Sequence, residues 1–173
     1  MRQIKNPAII AAILVNTIVS VIVFTNRDLL PLLAIDSESY AKPWQLITFN
    51  FVHVNYIHLA ANMIALYSFA PLVLKNYGVK TQLAILFLMP LIIGVFVQAV
   101  LLIIPQGDGV GYSGVVCAVI AIYMKQNKDE QKSIATQLLV FHVAALFIGI
   151  NISFIGHACG LVVGYLTSLL LND

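Results

Sequence analysis

Residues 109–124 read GVGYSGVVCAVIAIYM, an uncharged run that opens on glycines and a serine and continues apolar on every side. A helix with no polar face belongs in a protein core or a membrane. At 1.5 Å per residue this one falls well short of a hydrocarbon layer of about 30 Å, so its start at Gly111 is expected below a membrane surface, where the polar residues need water or partners. The rest of the chain decides between core and membrane. Of 173 residues, 61% are hydrophobic and 9% are charged, too few polar side chains to cover a soluble globule of this size. Further uncharged runs extend from Asn6 to Asn26, Pro43 to Leu74, Thr81 to Gly107 and Ser133 to Asn172, each of membrane length. The last is interrupted by Gly149, Asn151 and Ser153, which predicts two helices joined by a tight turn.

The expected fold is therefore all-α, a polytopic membrane protein with six spans at 8–25, 53–74, 82–104, 111–124, 134–150 and 154–171. Six spans put both termini on one side. Seven of the nine Lys and Arg residues fall on that side (Arg2, Lys5, Lys75, Lys80, Lys125, Lys128 and Lys132), against Arg27 and Lys42 opposite. The positive-inside rule then predicts cytoplasmic termini. Ser39 and Ala41 only faintly match a signal-peptidase site, and the charged stretch from Arg27 to Glu38 separates them from the first apolar run, which reads as an uncleaved span. The chain shows no Gly/Ser-rich or Pro-rich linker, low-complexity tract or internal repeat, so residues 1–173 read as a single membrane domain. Cys117 and Cys159 lie within expected spans and suit small-residue packing better than a disulfide framework.

Polar residues inside spans cost free energy unless they pair or serve a site. Four stand out: His58, Asn62, Ser113 and His157. In HVNYIHLAAN (53–62), His58 and Asn62 are four apart and share a helix face, either as a packing pair or as part of a site. Ser113 caps the short fourth helix or acts there as a nucleophile, where unpaired amides at a helix start can stabilise an oxyanion. His157, in SFIGHACGLVVGYL (153–166), falls at a similar depth near the start of the sixth span. Gly160 and Gly164 form a small-residue face below His157, as Gly114 and Ala118 do below Ser113. Spans four and six can thus approach closely and bring imidazole to hydroxyl. All seven acidic residues lie in loops or at the C-terminus, which leaves a Ser-His dyad without an acid. Asp108 is the only plausible nearby carboxylate, and it reads rather as a solvated loop charge. The histidines lack a set of partner ligands, so no metal is expected, and no cofactor or nucleic-acid partner either.

HVNYIHLAAN, GYSG and GHACGLVVG, in this order on three helices, resemble the rhomboid family of intramembrane serine proteases, in its bacterial six-helix core form. The resemblance implies a serine endopeptidase in a bacterial plasma membrane. It would cleave peptide bonds in or near transmembrane segments of membrane proteins, with Ser113 as nucleophile and His157 as general base. His58 and Asn62 match the family's oxyanion positions and His53 its additional histidine. Gly111 and Gly114 match the glycines beside the serine, and Gly160 and Gly164 those that pack the sixth helix on the fourth. The chain departs from the pattern at Cys117, where many bacterial members carry a tyrosine stacked on the histidine. It departs again at Trp44-Gln45 in place of Trp-Arg, and at Leu74 in place of a glutamate. The stretch PWQLITFNFV (43–52) resembles the family's membrane-embedded first loop, with Trp44 as an interfacial anchor; the alternative is an extension of the second helix. His142, midway along the fifth span, matches no family motif and reads as a helix-pairing residue. The alternative function is a catalytically silent relative that binds transmembrane clients. A transporter fits least, since the polar cluster sits toward one face rather than the midplane. Oligomeric state and physiological substrate are not legible.

Overall fold

The computed structural model describes residues 6–36, 42–104, 109–147 and 153–171, with side chains of 141–147 excepted. Asp108, Gly149, Asn151 and the side chain of His142 lie outside the described residues. The described residues form six principal helices: α1 (Pro7–Thr25), α2 (Tyr56–Leu74), α3 (Val79–Leu101), α4 (Ser113–Gln126), α5 (Gln131–Phe147) and α6 (Phe154–Leu170). The first three are long and apolar enough to cross a membrane, while α4 and α6 are shorter apolar helices. Among the described residues there is no strand, only an isolated bridge between Ile35 and Gly109.

Local chemistry sets the helix starts. Asn6 accepts from the amides of Ala8 and Ile9, with Pro7 at the first helical position, where its missing N–H costs nothing. Asn55 accepts from the His58 amide at 2.8 Å and starts α2 at Tyr56. The helix therefore begins three residues later than the apolar run predicts, and His53 lies ahead of it. Ser153 caps α6 through the Gly156 amide at 3.1 Å. Within α3 a π-helical turn over Ala84–Leu88 runs into Pro90.

The helices alternate in direction. Phe24 near the end of α1 meets Tyr56 at the start of α2, ring centroids 4.3 Å apart. At the opposite end Asn6 donates to Gln82 of α3, whose own amide donates to the carbonyls of Leu74 and Tyr77. In the middle stands α4, with every residue from Gly114 to Ile122 buried, which explains why its sequence has no polar face. The outward surface is apolar instead: Ile57, Ile64, Leu88 and Leu170 are all largely exposed. Water would penalise such a surface, and lipid would not.

The stretch between α1 and α2 is not an extension of α2. It folds into short helical turns at Arg27–Leu29, Leu30–Leu33, Gln45–Thr48 and Phe49–Phe51. These turns are tied together by side-chain bonds to backbone: Trp44 to Leu32, Gln45 to Pro31 and Thr48 to Leu33. They also dock on α3. A Cβ at Gly94 would collide with the Leu46 backbone, so only glycine permits the approach. Asn50, fully buried, donates to the Pro90 carbonyl at 3.1 Å.

Candidate active site

The crossing of α4 and α6 is backbone on backbone. A Cβ at Gly160 would strike the Gly114 carbonyl group, one at Gly164 would strike Ala118, and one at Gly114 would stand 3.1 Å from the Gly156 carbonyl oxygen. The small residues thus pair across the crossing, Gly114 with Gly160 and Ala118 with Gly164. Ser113 is the first residue of α4 and adjoins Gly114. His157 adjoins Gly156, one turn before Gly160, and is buried. Both therefore belong to the same end of one close crossing, on its two sides.

His58 reaches the same place from α2. A Cβ on Gly111 would lie 2.6 Å from His58 Cε1 and 2.8 Å from Nε2, so the imidazole rests against the glycine two residues before Ser113. Gly111 also has φ +112°, a left-handed conformation open to glycine at little cost. Asn62, one turn below His58 and buried, donates its side-chain amide to the His58 carbonyl at 2.9 Å. That bond uses one of its two N–H groups.

The approach to Ser113 is held from several sides. Gly109 and Ile35 exchange two backbone bonds, and the Gly111 amide donates to Phe49 at 2.9 Å. The Tyr112 amide donates to His53 Nε2 at 3.3 Å, and His53 Nδ1 lies 2.9 Å from Ser20 Oγ on α1. An amide can only donate, so Nε2 is the acceptor and Nδ1 carries the proton toward Ser20. The serine hydroxyl in turn donates to the Phe51 carbonyl at 3.2 Å. This network works only with a neutral ring. Burial, with His58 beside it (rings 5.0 Å apart), pushes the His53 imidazole down to about 3.

One helix start here differs from its neighbours. Asn55 caps α2 and Ser153 caps α6, but α4 has no side-chain cap. Its first helical bond runs from the Val116 amide to Tyr112, so the amides of Ser113, Gly114 and Val115 have no partner within the helix. Uncapped amides beside a serine form a place where negative charge can be stabilised.

Among the described residues no group of His, Cys, Asp and Glu could hold a metal ion. Open clefts of about 500 and 460 Å³ lie at the opposite end of the bundle, one lined by Lys125 to Glu130 and the other between the ends of α2 and α4. Neither reaches the Ser113 end. Ser20, Asn50, Pro90, Gly94 and Tyr112, which tie this end together, were not singled out in the sequence. Pro90 and Gly94 inside an apolar span were the available signals, since both break helix preference and so mark close approach or a released carbonyl.

The fold and this end of the bundle define a helical membrane protein with a serine at the start of its central helix. A family model described as the Rhomboid domain matches residues 40–173, which include α2 to α6 and His53, His58, Asn62, Ser113 and His157. The chain belongs to the rhomboid family. Among curated proteins no match was found.

Proposed function

We propose that this chain is an intramembrane serine endopeptidase that cleaves peptide bonds in or near transmembrane segments of membrane proteins. The observation that carries the reading is the α4–α6 crossing, with Ser113 and His157 on its two sides at an uncapped helix start. In the first step Ser113 Oγ attacks the substrate carbonyl carbon while His157 takes the hydroxyl proton. The oxyanion receives hydrogen bonds from His58, from the remaining N–H of Asn62 and from the amides at the start of α4. Collapse breaks the peptide C–N bond, His157 returns the proton to the leaving amine, and an acyl ester remains on Ser113. Water then attacks the ester, giving its proton to His157, and release of the carboxylic product restores the serine. With no acidic residue in the spans, the reading is a Ser-His dyad rather than a triad.

A peptide bond must leave its helical hydrogen bonds before attack, so substrates with helix-breaking residues near the cleavage site are preferred. The basic residues assign both termini to the cytoplasm and the Ser113 end to the opposite face. The test is cleavage of a panel of transmembrane substrates by purified protein, together with labelling by a serine-directed fluorophosphonate. Wild type cleaves and labels at Ser113; Ser113→Ala and His157→Ala do neither while keeping their helicity. Cleavage by Ser113→Ala overturns the assignment, and a wild type that neither cleaves nor labels favours a client-binding role.

A further inference from the structure

Pro90 leaves a gap in the hydrogen-bond ladder of α3. The π turn ends with the Met89 amide on the Ala84 carbonyl. In an α-helix that begins at Met89, the first regular donor is the amide of Ile92. Between them the carbonyls of Ile85, Leu86 and Phe87 face only positions 90 and 91, and a proline has no N–H. One donor therefore serves three carbonyls, deep in an apolar bundle where an unsatisfied carbonyl is costly.

Tyr112 fills this gap. It is fully buried, with its ring against Phe51 at 5.6 Å, and its hydroxyl donates to the Leu86 carbonyl at 2.5 Å. Phenol and carbonyl satisfy each other, and neither has water to turn to. At its other end the Tyr112 amide donates to His53. The residue immediately before Ser113 is thus tied at side chain and backbone to two different elements. Its ψ of 2° sets the plane of the peptide that leads into Ser113, and hence the direction of the serine side chain and its amide.

We propose that Tyr112 is a positioning residue that aims Ser113 through the carbonyl opened by Pro90; this rests on the reading of Ser113 as the nucleophile. Tyr112→Phe removes the hydroxyl and keeps the ring packing. It lowers kcat about tenfold, leaves KM within about twofold, and slows fluorophosphonate labelling of Ser113 in parallel, at a temperature well below melting. Pro90→Ala supplies an amide that competes for the Leu86 carbonyl, so it lowers kcat similarly, and the double variant is no slower than either single one. Wild-type kcat and labelling in Tyr112→Phe, or a lower melting temperature with unchanged kcat, overturns the inference. So do losses that multiply in the double variant. Should Pro90→Ala not fold, Tyr112→Phe decides alone through kcat and labelling. A wild type that neither cleaves nor labels removes the nucleophile, and the inference falls with the proposed function. An active wild type matched by Tyr112→Phe removes the inference alone.

Discussion

Gly160→Ala tests the crossing on which the proposed dyad depends. The added Cβ would stand 2.8 Å from the carbonyl carbon of Gly114 and 2.9 Å from its Cα, where carbon atoms prefer about 3.5 Å or more. The obstacle is backbone, so no side-chain rotation relieves it, and α4 and α6 must part by at least about half an ångström. Overpacking of this kind costs about 1–3 kcal/mol in stability. The separation also moves Ser113 relative to His157, because each adjoins a contact residue of the crossing. A shift approaching 1 Å between reacting groups costs on the order of 100-fold in rate, equivalent to about 2.7 kcal/mol. Gly160→Ala is therefore expected to melt at a lower temperature by circular dichroism in detergent. It is also expected to cleave a transmembrane substrate with kcat reduced about 100-fold. Gly78→Ala serves as the control, since a Cβ there meets nothing within 4 Å. If Gly160→Ala melts with wild type and keeps kcat within about threefold, the crossing does not set the geometry of the site.

The His53 network predicts acid sensitivity. The native ring stays neutral down to about pH 3, whereas in the unfolded chain it takes a proton below the ordinary 6.5. Between these values the unfolded state binds more protons, so the stabilisation is fully present above pH 6.5. It is lost as pH falls toward 3, at up to about 1.4 kcal/mol per unit. Melting temperatures from pH 7 to 4 should fall more steeply for wild type than for His53→Gln, and equal slopes would refute the assignment. Gly94→Ala places a Cβ 2.7 Å from the Leu46 carbonyl carbon and 3.0 Å from its Cα, so the turns between α1 and α2 should lift from α3. Limited proteolysis should then cut within residues 42–55 faster than in wild type.

Much of the bundle is legible in sequence because its signals are local. Uncharged runs mark the helices, and Asn6 and Ser153 mark two of their starts by cap chemistry. The spacing of Gly114 and Ala118 against Gly160 and Gly164 carries the α4–α6 packing, since small residues four apart lie on one face. The helix α2 starts three residues after the expected 53 because hydropathy does not distinguish residues 53–55 from helix; the Asn55 cap does. The ties of Ser20 to His53, Asn50 to Pro90 and Tyr112 to Leu86 span 33, 40 and 26 residues in sequence. No periodicity reports such pairings. Asn62 lies on the expected face beside His58, but its bond back to the His58 carbonyl depends on a side-chain rotamer that spacing does not reveal.

Cys117 stands where many bacterial members of the family carry a tyrosine stacked on the histidine, so that ring's task of aiming His157 falls here to other contacts. A thiol side chain is too small for that task, yet the backbone of His157 is constrained in two independent ways. The Ser153 hydroxyl accepts from Gly156, and the Ser153 carbonyl accepts from His157 itself at 3.0 Å, which fixes where along its axis α6 begins. The contact of Gly160 on Gly114 fixes how α6 is turned about that axis, because no other face of the helix offers a glycine at that level. Depth and rotation together place the Cα–Cβ bond of His157, leaving only the two side-chain torsions to be set. On the other side of the crossing, the Gly109–Ile35 bridge and the His53 and Leu86 contacts of Tyr112 do the same for Ser113. Each partner of the proposed dyad is aimed by its own helix start, so loss of either cap or tie should act on rate before it acts on substrate binding.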